Sequence, residues 1–292
     1  MNKSLSGRTF AVTGATSGIG FAVADALLRR GGSVIGAGRT PEHCQGALER
    51  LRQQYGAAAR VDFLAADLSL QGEVRRLAQD IRSVLDRWDS RGLEALINNA
   101  ATVPFWQTLT SEGMDMQWAV NHLAPFLLTM ELVPQLRLAP VGRVIIVSSG
   151  SHYGARLDWR DIQLLHHYSA LGAYGRTKLA NVLFASEFNR RFSGSSHLRA
   201  FAADPGLVKT ELGFKSKSRL ARWAWGLRRR GGIQPEKAAE GIVFLAVEPS
   251  IQASTEVYWK DRKPKLPSQY AQNPQAARQL WELSAQMCGL QP

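Results

Sequence analysis

The sequence contains only two cysteines, Cys44 and Cys288, which lie far apart and have no ligand-like neighbours. This scarcity argues against a disulfide framework and against a zinc site. The six histidines include the adjacent pair His166 and His167, which would not share a helix face, and none has metal-ligand spacing. We therefore predict no bound metal and a reducing compartment.

Long apolar runs are also missing. The apolar stretch 123–133 is interrupted by Pro125 and Glu131 and is well short of the ~20 residues that a membrane span needs. The N-terminal segment has neither the apolar core nor the small-residue cleavage site of a signal peptide. These absences predict a cytoplasmic protein without a transmembrane helix.

Basic residues outnumber acidic ones, 36 to 24, giving a formal net charge of +12. Such a charge is compatible with nucleic acid, anionic lipid or a phosphorylated cofactor as partner, and does not by itself distinguish them. We expect no nucleic-acid partner, because the sequence contains no recognisable nucleic-acid-binding motif.

Strand-length apolar segments alternate with helix-length segments along the 292 residues. This order predicts one α/β domain over residues 1–292, a Rossmann-type doubly wound fold with about seven parallel strands and helices on both faces. The predicted strands are 9–12, 34–37, 61–64, 93–97, 144–147, 198–202 and a short one near 256–259. The predicted helices include 19–30, 72–88, 172–191, 235–247 and 276–287.

A glycine-rich loop, TGATSGIG at residues 13–20, separates the first strand from the first helix. Glycines there allow a tight turn and the close approach of a pyrophosphate, which the amides and the positive end of the helix would bind. A glycine cluster alone is weak support, but its place between a strand and a helix strengthens it. The predicted cofactor-binding residues of this loop are Gly14, Thr16, Ser17, Gly18, Ile19 and Gly20.

The TGxxxGxG spacing resembles the short-chain dehydrogenase/reductase family, which implies a nicotinamide dinucleotide cofactor. After the second strand stands Arg39, with no carboxylate to bind both ribose hydroxyls of NAD. A guanidinium suits a 2′-phosphate, so we favour NADP(H) over NAD(H); the alternative is that Arg39 is a solvated loop cation.

Further cofactor contacts follow from the same resemblance. Asp67 and Leu68 match the family's adenine-contacting pair, and residues 98–101, NNAA, match its NNAG signature, which implies contacts from Asn99 and Ala100. Ala101 departs from the glycine of that signature. After the sixth strand, the segment 205–210 resembles the family's PG motif and implies contacts from Pro205, Gly206, Val208 and Thr210.

The predicted helix 172–191 contains Tyr174 and Lys178, four residues apart and hence on one helix face. A neighbouring ammonium favours the phenolate and lowers the pKa of a tyrosine, which can then exchange a proton with a carbonyl or alcohol oxygen. In an arbitrary protein the same spacing is more often part of an amphipathic helix face.

In the short-chain dehydrogenase/reductase family that this sequence resembles, the residues that match Tyr174 and Lys178 are catalytic and also contact the cofactor. Ser149, after the fifth strand, aligns with the serine that holds the substrate oxygen. Asn121 matches the helix asparagine that supports a water-linked proton relay to the lysine. The resemblance therefore implies a catalytic set of Asn121, Ser149, Tyr174 and Lys178.

An insertion at residues 157–161, the segment 174–192 and the late segment 277–282 resemble the retinol dehydrogenase and protochlorophyllide reductase branch. That branch implies a small lipophilic carbonyl or alcohol as substrate. The region 213–232 is a candidate substrate lid, and its basic, tryptophan-containing part 218–230 is alternatively an interfacial helix in peripheral contact with a membrane. Residues 261–292 form a C-terminal extension, and a homodimer is compatible with the family.

The resulting hypothesis is an NADP(H)-dependent oxidoreductase, or carbonyl reductase, with Tyr174 as general acid or base. The alternative hypothesis is a catalytically silent NADP-binding scaffold or sensor.

Overall fold

Short apolar segments rich in β-branched residues form the strands in the computed structural model, which describes residues 4–192, 194, 197–209 and 232–291. Their side chains are buried, as expected for strands covered on both faces. The strands are β1 (Thr9–Thr13), β2 (Ser33–Gly38), β3 (Val61–Ala65), β4 (Ala95–Asn98), β5 (Arg143–Val147), β6 (Arg199–Asp204), β7 (Tyr258–Lys260) and β8 (Lys263–Pro264).

The sheet order is β3-β2-β1-β4-β5-β6-β7-β8, and the strands from β3 to β7 pair in parallel. The order reverses between β1 and β4, which are adjacent although β2 and β3 lie between them in sequence. In doubly wound sheets such a reversal opens a crevice at the carboxyl ends of the strands, where ligands bind.

Helices connect the strands. Those with a proline at their start, such as Pro235 and Pro274, use its fixed φ and its missing N–H at a position where no helical hydrogen bond is lost. The α-helices are α1 (Gly18–Leu28), α2 (Pro41–Tyr55), α3 (Gln71–Arg87), the single turn α4 (Met116–Trp118), α5 (Ala124–Leu138), α6 (Ala170–Phe192), α7 (Pro235–Val247) and α8 (Pro274–Met287).

Alternate residues of the strands point to opposite faces of the sheet, and each face has its own apolar core. In β5, Val144 and Ile146 join the core with α3, α5, α6 and α8, whereas Ile145 and Val147 join the core with α1, α2 and α7. The predicted α/β class with helices on both faces is therefore confirmed.

The strand count differs from the predicted seven, because β8 adds a two-residue antiparallel edge strand. Its Pro264 cannot donate to a ladder, which restricts such a strand to the edge of a sheet. The last parallel strand is Tyr258–Lys260 rather than 256–259. Most of the candidate lid 213–232, including all of 218–230, lies outside the described residues.

Helix α8 closes the C-terminal extension against the rest of the domain. Trp281 packs edge-on against Phe126 of α5 and in a tilted arrangement against Phe184 of α6, with ring centroids 5.0 Å and 5.8 Å apart. Among the described residues, no helix is both long and apolar enough to cross a membrane.

Candidate active site

The loop after β1 turns sharply, and two of its glycines adopt the left-handed conformation, with φ +65° at Gly14 and +54° at Gly18. A Cβ on Gly14 would lie 2.9 Å from the Cα of Ala100, and a Cβ on Gly20 would overlap the Gly14 carbonyl and lie 2.5 Å from Asn99 Nδ2. Glycine is therefore required at both positions to let β1, α1 and the end of β4 approach one another.

Thr13 and Asn99 fasten this loop to the end of β4. The Thr13 hydroxyl accepts hydrogen bonds from the backbone N–H groups of Asn99 (3.0 Å) and Ala100 (3.1 Å). In return Asn99 Nδ2 donates to the carbonyl of Thr13 at 2.9 Å. The two strand ends on either side of the topological reversal are thereby held in one orientation.

The first turn of α1 suits an anionic ligand. Ser17, its N-cap, makes no side-chain capping hydrogen bond, so its hydroxyl leaves the N-terminal amides of the helix available. These amides and the positive end of the helix dipole bind phosphate groups. Together with the absence of side chains at Gly14 and Gly20, this surface fits the pyrophosphate of a dinucleotide.

Arg39 lies directly after β2 on the same edge of the sheet. Its side chain is exposed and makes no hydrogen bond or ion pair within the described part of the chain, so it can meet an added phosphate. Asp67, after β3, accepts a hydrogen bond from the Ser69 N–H at 3.0 Å, and Leu68 packs against the core beside α3. The predicted cofactor-binding residues in the loops after β1, β2, β3 and β4 thus lie at the same edge of the sheet.

Lys178 and Tyr174 lie one turn apart on α6, and hydrogen bonds join Lys178 to the end of β5. Lys178 Nζ donates to the carbonyl of Val147 at 2.8 Å and lies 5.3 Å from the centroid of the Tyr174 ring. The buried Ser148 hydroxyl donates to the Lys178 carbonyl at 2.8 Å. Ser149, the next residue, is half-buried and accepts a hydrogen bond from the Ser151 N–H at 3.2 Å.

The Lys178 side chain is almost completely buried, with 2% of its surface exposed. This burial lowers its pKa to about 7, because desolvation disfavours the ammonium. A lysine that titrates near neutrality can both release and take up a proton, and a buried lysine in that range is typical of functional sites.

Asn121 sits in a π-helical turn, Ala119–Leu123, between α4 and α5. Its side chain is fixed by Thr102, whose N–H donates to Asn121 Oδ1 at 2.7 Å and whose carbonyl accepts from Asn121 Nδ2 at 2.9 Å. A weaker bond of 3.4 Å runs from Nδ2 to the Thr177 hydroxyl on α6, between Tyr174 and Lys178. Turns of this kind are rare and concentrate at functional sites.

Pro205 and Gly206 follow β6 at the same edge, and Gly206 adopts φ +75°. Val208 forms an isolated parallel bridge with Ile233, which brings the start of α7 beside this segment. Thr210, the last predicted cofactor residue, lies outside the described residues.

Asp204, at the end of β6, is buried. Its carboxylate accepts hydrogen bonds from the Tyr258 hydroxyl at 2.7 Å and from the Gly206 N–H at 2.9 Å. Burial, followed by this hydrogen bond, raises the pKa of the Tyr258 phenol. The sequence did not reveal this role, because the partner lies 54 residues away on β7.

His152 is a second residue that sequence reasoning missed. Its Nδ1 is 2.8 Å from the carbonyl of Ser149, and its Nε2 accepts a hydrogen bond from the Ser268 N–H at 3.1 Å. It is fully buried, and burial lowers its pKa. The C-terminal extension is thereby attached to the turn that carries Ser149, and a histidine three residues after that serine is the only signal in the sequence.

No group of three His, Cys, Asp or Glu residues that could hold a metal ion occurs among the described residues. The geometry combines a sheet edge that fits a dinucleotide with a tyrosine and a buried lysine. This arrangement can hold a nicotinamide cofactor and exchange a proton beside it.

Comparison with known proteins agrees with a site for a nicotinamide cofactor. The family model for short chain dehydrogenases matches residues 8–220. Human retinol dehydrogenase 13 is 35% identical over 296 residues, covering 98% of this chain and 86% of the relative. A crystal structure from Mycobacterium paratuberculosis superposes with a TM-score of 0.72 at 30% identity, covering 99% of this chain and 96% of the other. The landomycin C-6 ketoreductase LanV, solved with bound NADP and rabelomycin, gives a TM-score of 0.66 at 26% identity, covering 89% and 96%.

Proposed function

Because the chain belongs to the short-chain dehydrogenase family, in its retinol dehydrogenase-like branch, we propose that it is an NADP(H)-dependent oxidoreductase that interconverts a lipophilic aldehyde or ketone with the corresponding alcohol. The family as a whole consists of oxidoreductases that act on alcohol and carbonyl groups with a nicotinamide cofactor. The finer proposal adds the phosphorylated cofactor, the lipophilic substrate and the roles of individual residues.

The observation that carries this proposal is the buried Lys178 beside Tyr174. A lysine amine with 2% exposure and a single backbone acceptor, the Val147 carbonyl, is costly to bury. Its position one turn after a tyrosine, at the carboxyl end of β5, is explained by a task in proton transfer. A purely structural helix face would place an apolar side chain there.

In the reductive direction a bound nicotinamide supplies the hydride. Tyr174 gives the hydroxyl proton to the carbonyl oxygen of the substrate, and the Ser149 hydroxyl donates a hydrogen bond to the same oxygen. Lys178, when protonated, stabilises the resulting phenolate. Lys178 then passes its proton to the phenolate, and Asn121 supports the return of a proton from water to Lys178. In the oxidative direction each proton moves the opposite way.

Preference for NADP(H) is supported by Arg39. It is an exposed guanidinium that lies after β2, where the family's NAD-dependent members need a carboxylate. LanV, a structural neighbour, was solved with NADP. A lipophilic substrate is supported by the likeness to retinol dehydrogenase 13, and by the exposed apolar side chains of Tyr153, Leu207 and Leu266 beside segments that follow β5, β6 and β8.

Three further proposals rest on the sequence alone. They are a cytoplasmic location, peripheral membrane contact through residues 218–230, and a homodimer. Any such dimer has to leave room for α8, which already covers part of α5 and α6.

The deciding experiment follows the oxidation of NADPH and NADH spectrophotometrically over a panel of aldehydes, steroidal ketones and polyketide ketones. We expect turnover with NADPH, and a loss of about 10²- to 10⁴-fold in Tyr174→Phe, the range of general acid catalysis. Tyr55→Phe, on α2, is the matched control and should keep full activity. Tight NADPH binding without turnover in the unaltered protein would instead support the scaffold or sensor alternative.

A further inference from the structure

The backbone carbonyl of Asn121 has lost its ordinary helical partner. In an α-helix it would accept from the N–H four residues on, but that residue is Pro125, which has none. The chain forms a π-helical turn at this place, in which the Ala124 N–H donates to Ala119, five residues back. Because Pro125 has no N–H to give, a side chain can take the place of this donor.

That donor is Asn181 of α6. Its Nδ2 lies 2.9 Å from the Asn121 carbonyl oxygen. Asn181 Oδ1 lies 3.3 Å from His122 Nδ1, and His122 Nε2 lies 2.9 Å from the Ser284 hydroxyl on α8. None of the four residues is more than 1% exposed, so the chain of hydrogen bonds is sealed from solvent.

The protons in this chain can be assigned. A carbonyl only accepts, so Asn181 must present Nδ2 to Asn121 and keep Oδ1 for His122. His122 therefore carries its proton on Nδ1 and accepts at Nε2 from the Ser284 hydroxyl. Burial lowers the pKa of His122 to about 4, which keeps the ring neutral with one proton under ordinary conditions.

The opposite side of Asn121 is already fixed by Thr102, which binds both polar atoms of its side chain. The hydrogen bond from Asn181 adds the backbone carbonyl. Side chain and main chain of Asn121 are then held from two directions. A group that takes part in a proton relay through water requires such a fixed direction.

Building on the proposed function, we propose that Asn181, His122 and Ser284 are positioning residues that hold Asn121 in place for the proton relay of Lys178. Within the described part of the chain, the side chains of these three residues make no hydrogen bond to a predicted cofactor-binding or catalytic residue other than Asn121. Their effect passes through Asn121. The C-terminal helix α8 thereby takes part in the active site from the far side of the core.

One test measures the tautomer of His122, which depends on this chain of hydrogen bonds, and needs no cofactor. In protein labelled with ¹⁵N-histidine, NMR should show His122 as the Nδ1–H tautomer, identified as the signal that disappears in His122→Asn. His152 should share this tautomer and serves as an internal reference. In Asn181→Leu, His122 should change its ring shifts while His152 does not. A His122 found as the Nε2–H tautomer in the unaltered protein overturns the assignment.

The kinetic test compares two substitutions of His122 in the full chain. His122→Asn can still donate to Asn181, whereas His122→Leu cannot. We expect His122→Leu to lose on the order of tenfold in kcat, less than the ~100-fold that a 1 Å misplacement of reacting groups produces. The KM for NADPH should stay within about twofold, and His122→Asn should recover most of the lost kcat.

Val182→Ala is the control for a destabilised core. Val182 follows Asn181 on α6 and is as deeply buried as Asn181 and His122, but its side chain is apolar. Its kcat should not change. Equal losses in His122→Leu and Val182→Ala, or equal kcat in the two His122 variants, would overturn the positioning role while leaving the proposed function intact. An unaltered protein that turns over no carbonyl rejects the proposed function, and the catalytic role of the three residues with it.

Discussion

At the loop after β1 the chain segments pack so closely that a Cβ on Gly14 or Gly20 would collide with Ala100 or Asn99. At the segments after β5 and β6 the structure is held by buried polar side chains whose partners lie on β7 and in the C-terminal extension. His152 meets Ser268 across 116 residues of sequence, and Asp204 meets Tyr258 across 54.

This difference predicts how the two regions, called here the cofactor half and the C-terminal half, respond to substitutions. The cofactor half, made of the loops after β1, β2 and β4, depends on missing side chains, so adding a single methyl group should disrupt it. The C-terminal half, made of the segments after β5 and β6 together with residues 258–291, depends on hydrogen bonds in a dry interior. There, removing one partner leaves the other unsatisfied, which is costly but local.

The largest effect should follow from Gly20→Ala. Its Cβ would overlap the Gly14 carbonyl and press on Asn99, and neither backbone nor fastened side chain can yield easily. We expect a loss of several kcal/mol in the free energy of unfolding, at the upper end of overpacking effects, and no measurable NADPH binding by calorimetry. Gly46→Ala, in the middle of α2 with no atom within 4 Å of the new Cβ, should instead stabilise by about 0.5–1 kcal/mol. Similar behaviour of the two variants would contradict the backbone-packing account.

The next effect concerns Lys178, whose folded-state pKa of about 7 lies below its ordinary 10.5. Between these values the unfolded chain holds a proton that the folded chain lacks, so the folded state gains stability as the pH rises. Lys178→Met removes the cost of burying the charge, which is a few kcal/mol at most because each pKa unit corresponds to about 1.4 kcal/mol.

Denaturant unfolding of the cofactor-free protein at pH 6 and pH 9 checks this. The gain in stability from Lys178→Met should be larger at pH 6 and should shrink at pH 9, while turnover is lost at both. A gain that is independent of pH would show that Lys178 does not titrate in this range.

Much of the fold could be predicted because its signals are local. The helix 235–247 has the bounds of α7, since Pro235 marks its start and an apolar period of 3.6 residues continues to its end. The edge strands were less predictable. β7 has only three residues and β8 only two, too few for an alternating pattern to define them.

The candidate site likewise contains residues that local motifs identify and residues whose partners are distant in sequence. The glycine loop and the Tyr174–Lys178 pair lie within short stretches and could be found as motifs. The partners of Asp204, His152 and His122 could not, because nothing near these residues in sequence indicates Tyr258, Ser268 or Ser284. Such contacts arise only when β7 joins the sheet and the C-terminal extension packs onto the sheet and α6.

A smaller effect should separate Arg39, in the loop after β2, from Arg52 on α2. Arg39→Ala should raise the KM for NADPH about tenfold to a hundredfold, because hydrogen bonds to charged groups contribute about 1.5–3 kcal/mol, and should leave the KM for NADH unchanged. Arg52→Ala, equally exposed on α2, is the matched control. Steady-state kinetics with both cofactors measure the ratio, and equal rises for NADPH and NADH would show that Arg39 does not bind a 2′-phosphate.

The smallest effect is expected in the C-terminal half, from Tyr258→Phe. The ring stays buried, but one oxygen of Asp204 loses its only side-chain donor in the described structure while the Gly206 N–H still binds the other. We expect the free energy of unfolding to fall by about 1–2 kcal/mol, the cost of one unsatisfied buried acceptor, and the KM for NADPH to rise only slightly through the segment that begins at Pro205. The control is Tyr270→Phe. Tyr270 is a half-buried tyrosine of the C-terminal extension whose hydroxyl makes no hydrogen bond among the described residues, so this change should leave the unfolding curve unchanged. If Tyr258→Phe were as damaging to cofactor binding as Gly20→Ala, the two halves would not differ in the way proposed, and Asp204 would have to be counted among the groups that shape the cofactor edge itself.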